Sequence, residues 1–160
     1  MTETVAGDET SATPEAETTP EAETEAEAET GGGEGTGGEG GAKAGAGGIE
    51  SFQTPSGNIG CYIGPEGARC DIADRDWTAP RPDGCPSQVD YGQGLEVTDS
   101  GPAVVCAGDT ALNPEARALA YGSDIRAGDF TCHSREDGVE CLDDGDGRGF
   151  FISKQSYRVF

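Results

Sequence analysis

From Ile49 onward, short runs of apolar and β-branched residues alternate with clusters of Gly, Pro, Asn and Asp. Runs of this kind between turn residues are typical of β-strands. The pattern predicts an all-β fold, a small disulfide-stabilised antiparallel β domain built as a sandwich or a partly open barrel. We expect strands near 50–54, 58–63, 68–73, 94–98, 102–107, 117–121, 128–134, 138–143 and 149–153.

Two segments also fit a helical turn. In residues 113–120, Asn113 can cap a turn that begins at Pro114, since proline suits the first helical position. Residues 154–159 are the second such segment, a short C-terminal helix that closes on Tyr157 and Phe160.

One cysteine spacing occurs twice, in CYIGPEGARC at Cys61–Cys70 and in CHSREDGVEC at Cys132–Cys141. Each segment places its cysteines around a four-residue turn signal, GPEG or REDG. Folding each segment as a hairpin brings its two cysteines directly opposite each other, which is the geometry of a cross-strand disulfide. The predicted bridges are therefore Cys61–Cys70 and Cys132–Cys141.

The other two cysteines, Cys85 and Cys106, are then left to pair with each other. Six cysteines allow fifteen connectivities, and sequential pairing is the one that uses both hairpins. Because side chains alternate along a strand, Tyr62 and His133 point away from the cysteine face. Trp77, which precedes a Pro-rich loop, is expected to fill the core.

Composition divides the chain near Gly48. Residues 1–48 carry twelve acidic residues and one lysine, in TPEAET-type repeats followed by a glycine-rich stretch. This segment has no apolar face, which predicts a disordered acidic and Gly-rich tether. Residues 49–160 form the predicted β domain, with nineteen acidic and nine basic residues.

The acidity of both parts argues against two classes of partner. Proteins that bind nucleic acid or an anionic membrane surface need clustered Lys and Arg, and the whole chain has a net charge of −21. We therefore expect neither nucleic-acid binding nor direct binding of the domain to a membrane surface.

The predicted domain has 26 large apolar residues among 112, a sparse supply for a core. In the chain-entropy model each bridge adds roughly 2.5 to 3.5 kcal/mol of stability, so the bridges decide whether the domain folds. Disulfides also indicate an oxidising compartment. The first residues, Met1–Val5, lack a basic and an apolar leader segment, and we expect an export signal or lipid-anchor site to precede Met1.

Candidate chemistry is limited. His133 is the one histidine, and a bridged Cys132 leaves no thiol beside it, so no catalytic residue is predicted. Asp144 and Asp146 resemble the start of a calcium loop, but Arg148 stands at its fifth position and Gln155 at its twelfth, which makes them weak metal candidates. The cysteines lack the CxxC spacing of zinc sites, and no cofactor is predicted.

Several strings together resemble a known family. They are SGNIGC from Ser56, RCDI from Arg69, VCAGDT from Val105, AYG from Ala120, GVEC from Gly138 and GRGFFIS from Gly147. They are similar to those of small secreted or lipid-anchored actinobacterial proteins with six cysteines, a domain family of unknown function, over residues 49–160. The resemblance implies an exported, cell-envelope context and lends no catalytic residues.

These observations favour a non-enzymatic extracellular binding or structural module of the cell envelope, expected to be a monomer. Its partner would be an extracellular protein or an envelope component. One alternative is an inhibitor or ligand-binding domain for an extracellular enzyme, with residues 78–94 as its contact loop. The second alternative is a secreted hydrolase that uses His133 or a carboxylate pair.

Overall fold

The computed structural model describes residues 42–43 and 48–160. The predicted tether, residues 1–48, therefore lies almost entirely outside the described residues, apart from β1 and Gly48. The described ranges contain strands, turns and loops and no helical residue. Their strands are β1 (Ala42–Lys43), β2 (Glu50–Gln53), β3 (Ile59–Gly64), β4 (Gly67–Ile72), β5 (Tyr91–Thr98), β6 (Gly101–Cys106), β7 (Arg117–Ala118), β8 (Asp124–Ala127), β9 (Phe130–Arg135), β10 (Gly138–Asp143), β11 (Gly149–Ile152) and β12 (Tyr157–Val159).

Within the described residues, these strands form two six-stranded sheets that pack face to face. The first sheet has the order β6-β5-β4-β3-β2-β7 and the second has the order β1-β8-β9-β10-β11-β12. Neighbouring strands are antiparallel except at one edge of each sheet, where β2 pairs with β7 and β1 pairs with β8 in parallel. The all-β prediction is confirmed, and of its two architectures the structure shows the sandwich.

Each sheet is built around one cysteine hairpin. β3 and β4 pair Cys61 with Cys70, and β9 and β10 pair Cys132 with Cys141, in the predicted registers. Both hairpins close through two residues, Pro65–Glu66 in the first and Glu136–Asp137 in the second. The described bridges are Cys61–Cys70, Cys85–Cys106 and Cys132–Cys141, the pairs predicted from the sequence.

The core lies between the two sheets. The four hairpin cysteines are fully buried there, and the Sγ atoms of Cys70 and Cys141 are 3.7 Å apart, so the two bridges touch across the sandwich. Side-chain alternation places every second residue of the hairpins in this core. The fully buried apolar side chains around the sulfur atoms include Phe52, Ile63, Leu95, Val97, Val139, Phe150 and Ile152.

Trp77 lies at the edge of this core. Its ring is partly buried against the core and has its centroid 4.5 Å from that of Tyr157, while its Nε1 donates to the carbonyl of Ser153 at 2.8 Å. A buried indole N–H needs such an acceptor. Trp77 therefore fixes the loop after β4 to the turn before β12.

The two helical alternatives have different outcomes. Residues 154–159 are not helical, because Tyr157–Val159 form β12 and pair with β11. Near residue 113 the structure has a single turn, in which Asn113 Oδ1 accepts from the amide of Glu115 and Asn113 O from that of Ala116. The chain then enters β7 instead of continuing as a helix.

Candidate functional site

An open cleft of about 500 Å³ lies where several turns of both sheets meet at one end of the sandwich. We call it the end cleft. Its walls are the β2–β3 turn (residues 54–59), the residues after β4 (Ala73 and Asp74), Tyr121, the β9–β10 turn (residues 135–138) and the β11–β12 turn (residues 153–155). Turns from two packed sheets thus converge on one concave surface.

The first wall of the end cleft is held in place by Asn58. Its Nδ2 donates to the carbonyl of Asp74 at 3.0 Å, and its Oδ1 accepts from the amide of Asp74 at 2.8 Å. These paired bonds join the β2–β3 turn to the residues after β4. Because both backbone groups of Asp74 are fixed, its side chain is presented from a defined position.

The opposite wall is held by serine side chains. Ser153 Oγ donates to the carbonyl of Ser156 and accepts from its amide, which closes the β11–β12 turn. Ser134 Oγ donates to the carbonyl of Leu119, and the amide of Gly122 donates to the carbonyl of Ser134. These bonds seat the loop that carries Tyr121 against β9.

The end cleft presents polar groups that no described residue engages. Tyr121 is 39% exposed. Within the described part of the chain, the carboxylates of Asp74, Glu136 and Asp137 and the ammonium group of Lys154 have neither a hydrogen bond nor an ion pair. The cleft therefore combines fixed walls with side chains that are available to a ligand.

His133 lies on the outer face of the second sheet, as predicted, and Glu140 lies opposite it on β10. Its Nδ1 donates to Asp124 Oδ1 at 2.7 Å. Among the described residues, no hydroxyl group hydrogen-bonds to the ring and no cysteine is free. The structure thus joins His133 to a carboxylate but brings no nucleophile to this pair.

Asp124 is the centre of a small charged cluster. Besides His133, the guanidinium group of Arg135 donates to Asp124 Oδ1 at 3.2 Å. Partial burial raises the pKa of Asp124, but the hydrogen bonds and charges of His133 and Arg135 outweigh this and hold the pKa below its ordinary value of 3.8. Sequence reasoning missed Asp124 because β8 was not predicted, so His133 had no known neighbour on that side.

The weak metal candidates, Asp144 and Asp146, form ion pairs with two different arginines. Asp144 Oδ2 accepts from Thr131 at 2.8 Å and from Arg126 at 2.9 Å. Asp146 accepts from the amide and the guanidinium group of Arg148, and these contacts lower its pKa. The described residues contain no group of three or more acidic, His or Cys side chains arranged to hold a metal ion.

The expected contact loop, residues 78–94, is largely exposed before β5 and is anchored to the rest of the domain. Cys85 is bridged to Cys106, and one guanidinium nitrogen of Arg81 donates to the carbonyl of Pro86 at 2.8 Å. The Arg81 guanidinium also lies over the ring of Tyr91, 4.1 Å from its centroid. The end of this range belongs to β5, which begins at Tyr91.

A buried ion pair on the outer face of the first sheet joins two of the strings singled out in the sequence. Arg69 of RCDI makes a bidentate pair with Asp71, at 2.9 Å and 2.8 Å, and reaches Asp109 Oδ1 of CAGDT at 2.9 Å. The amide of Ala111 donates to Asp71 Oδ2. The loop after β6 therefore covers this face of the sheet.

The electrostatics of this cluster follow from its geometry. Burial alone would lower the pKa of Arg69, but its hydrogen bonds to Asp71 and Asp109 outweigh burial and raise that pKa above its ordinary range. The hydrogen bond and the charge of Arg69 lower the pKa of Asp109. The Arg69 side chain is 5% exposed and that of Asp71 is fully buried, which is the setting in which a charge needs a paired partner.

The other four strings meet at the end cleft. SGNIGC supplies Ser56, Gly57 and Asn58, AYG supplies Tyr121, GVEC begins at Gly138, and GRGFFIS ends at Ser153. Their spacing along the chain gave no sign of this meeting, because it depends on how the two sheets pack.

Comparison with known proteins gives one relationship. In the part of the chain that the structure describes, no helix has the length and apolar character needed to cross a membrane. No curated protein and no solved structure matches the chain. Residues 40–160, most of the chain, match the family of unknown function DUF6636, and the protein belongs to that family.

Proposed function

We propose that the protein is a non-enzymatic binding module of the cell envelope or its surroundings, and that the end cleft recognises an extracellular protein. The observation that carries this proposal is the combination of fixed walls and unengaged polar side chains in the end cleft. A preformed surface loses little conformational entropy when a partner binds, so more of the contact energy appears as affinity.

The charge of the end cleft favours a partner that presents a basic side chain. Asp74, Glu136 and Asp137 carry three negative charges, against Lys154 and an Arg135 that is already paired with Asp124. A Lys or Arg of the partner would find unpaired carboxylates beside the ring of Tyr121. Tyrosine is enriched at such contacts because it offers a large contact area and a polar end.

The location in this proposal is supported by the disulfides. All six cysteines are bridged in the structure, and bridges of this kind persist in oxidising surroundings. The resemblance to secreted or lipid-anchored proteins of actinobacteria agrees with the same location.

The proposal is tested by site-specific photo-crosslinking of the full chain at the native cell surface. A crosslinking amino acid at Tyr121 should capture one recurrent protein, whereas the same amino acid at the exposed Ser87, outside the end cleft, should not. Equal capture at both positions would contradict a role for the cleft.

The captured protein then allows a matched measurement of affinity. The double substitution Glu136→Gln and Asp137→Asn should weaken its binding by about tenfold or more, since it removes two carboxylates from the cleft. Glu66→Gln with Asp129→Asn removes two exposed carboxylates from turns that do not line the end cleft, and should leave the affinity unchanged. Equal losses in the two variants would show a general charge effect and overturn the proposal.

A further inference from the structure

A second cleft, of about 440 Å³, lies beside the start of β5. We call it the lateral cleft. It is formed by the loop after β4, by β5 with the residue before it and by the loop after β6, and its polar lining residues are Arg75, Asp90, Tyr91, Gln93, Asp109 and Thr110. The end cleft and the lateral cleft share no lining residue.

Arg75 is the unusual member of the lateral cleft. Its Nε is buried and has no hydrogen-bond partner, and within the described residues its guanidinium group forms no ion pair. The guanidinium carbon lies 5.4 Å from the centroid of the Trp77 ring, which holds the side chain in place. The two Nη atoms of Arg75 also have no hydrogen-bond partner among the described residues, and unlike Nε they are not buried. A ligand in the lateral cleft can therefore supply acceptors to these donors.

The same cleft also presents acceptors. The carboxylate of Asp90 has no partner among the described residues, and that of Asp109 is 79% exposed while it pairs with Arg69 through Oδ1. Neither carboxylate lies within 4.0 Å of the Arg75 nitrogens, since no ion pair joins them. Donor and acceptors therefore face one cleft without satisfying each other.

The lining of the lateral cleft is rigid. Gln93 Nε2 donates to the carbonyls of Ala107 and Asp109 at 3.1 Å and 3.3 Å, which fixes the loop after β6. The Cys85–Cys106 bridge closes the same region. The ring of Tyr91 is held by the guanidinium group of Arg81.

This chemistry selects among ligand classes. The carboxylates of Asp90 and Asp109 would repel a phosphate or another compact anion. The guanidinium group of Arg75 would repel a lone cation. A sugar hydroxyl both donates and accepts, so vicinal hydroxyls can accept from Arg75 and donate to a carboxylate at the same time. Beside these polar groups, Tyr91 adds an aromatic ring with a polar end.

From this arrangement we propose that the lateral cleft is a carbohydrate-binding site for a neutral hexose unit of an oligosaccharide. Arg75 supplies the donor, Asp90 and Asp109 supply the acceptors, and Tyr91 supplies the ring against which the sugar lies. This site is independent of the protein partner proposed for the end cleft.

The test is saturation-transfer NMR on the full oxidised chain with neutral hexasaccharides of glucose, mannose and N-acetylglucosamine. At least one of the three should receive saturation, and amide resonances of Tyr91, Gln93 and Thr110 should shift during its titration. Absence of transfer from all three at roughly 10 mM, the weak limit for a site of this kind, would overturn the proposal.

Substitutions separate a ligand site from a structural role. Arg75→Met and Asp90→Asn should each weaken binding of that hexasaccharide by about tenfold, while Arg117→Met and Asp83→Asn, outside the cleft, should leave it unchanged. Arg75→Met should lower the melting temperature of the free protein only slightly, because the substitution removes the contact with the Trp77 ring but no hydrogen bond or ion pair. A fall in melting temperature without loss of sugar binding would assign Arg75 a structural role instead.

Discussion

Gly94 shows how a buried charge fixes the identity of a residue on the neighbouring strand. A Cβ atom at this position would lie 2.0 Å from Asp71 Oδ1 and 2.5 Å from the carbonyl oxygen of Cys70. Both atoms are constrained, since Asp71 is held by Arg69 and the carbonyl belongs to β4. The absence of a side chain at Gly94 therefore leaves room for the carboxylate of Asp71 beside β5.

Gly94→Ala should lower the free energy of unfolding by about 3 kcal/mol, because either β5 or the Arg69–Asp71 pair must shift. The measurement is guanidinium unfolding of the oxidised protein. Gly108→Ala is the matched control, since a Cβ there meets nothing within 4 Å. Similar losses at both positions would contradict this account of Gly94.

At the scale of residues, sequence reasoning predicted which side chains face the core but not which polar groups meet. Alternation from Cys132 placed His133 on the outer face, where it lies. Its bond to Asp124 depends on β8, and the pairing of Arg69 with Asp109 spans 40 positions. Such contacts follow from sheet order and loop paths, which a local pattern does not specify.

At the scale of elements, the two cysteine hairpins were the most predictable part of the fold. Their turn residues and opposed cysteines determine register within one short segment. β8 and β12 were missed for the opposite reason. Asp124–Ala127 and Tyr157–Val159 are only four and three residues long, too short to show a clear alternating pattern, and they are strands because β9 and β11 offer them backbone partners.

The three disulfide bridges differ in their exposure, and therefore in how easily a reductant can reach them. Cys61, Cys70, Cys132 and Cys141 are fully buried, whereas the Cys85–Cys106 bridge joins two partly exposed residues. A thiol reductant must reach a sulfur atom to exchange with it. Under native conditions we therefore expect Cys85–Cys106 to be reduced before either hairpin bridge.

Timed alkylation followed by mass spectrometry of peptides checks this order. Cys85 and Cys106 should carry the label while the hairpin cysteines remain unlabelled, and the backbone amides of β3, β4, β9 and β10 should stay protected from hydrogen exchange. Labelling of Cys61 or Cys132 at the same rate as Cys85 would contradict the predicted order.

At the scale of the whole molecule, the surface is strongly negative. Residues 49–160 hold nineteen acidic and nine basic residues, a net charge of −10 before the acidic N-terminal segment is counted. Like charges held close together oppose the compact state more than the expanded one. Salt should therefore stabilise the fold by screening this repulsion.

Raising NaCl from about 0.01 M to about 0.15 M shortens the screening length from about 30 Å to about 8 Å. We expect the free energy of unfolding to rise by about 1 kcal/mol over this range, as measured by thermal unfolding. Choline chloride at equal ionic strength should have the same effect. A decrease would show that ion pairs outweigh the general repulsion, and a rise with calcium chloride alone would indicate a specific cation site.

The contact between the sulfur atoms of Cys70 and Cys141 links oxidation of the two hairpins to formation of the end cleft. Four thiols need more room than two bridges, and a close-packed interior has none to spare. We therefore expect the two sheets to dock fully only when both hairpins are oxidised, and the end cleft, which needs turns from both sheets, to be complete only then. In reducing surroundings we expect the chain to lack a complete end cleft and to lose the binding that depends on it.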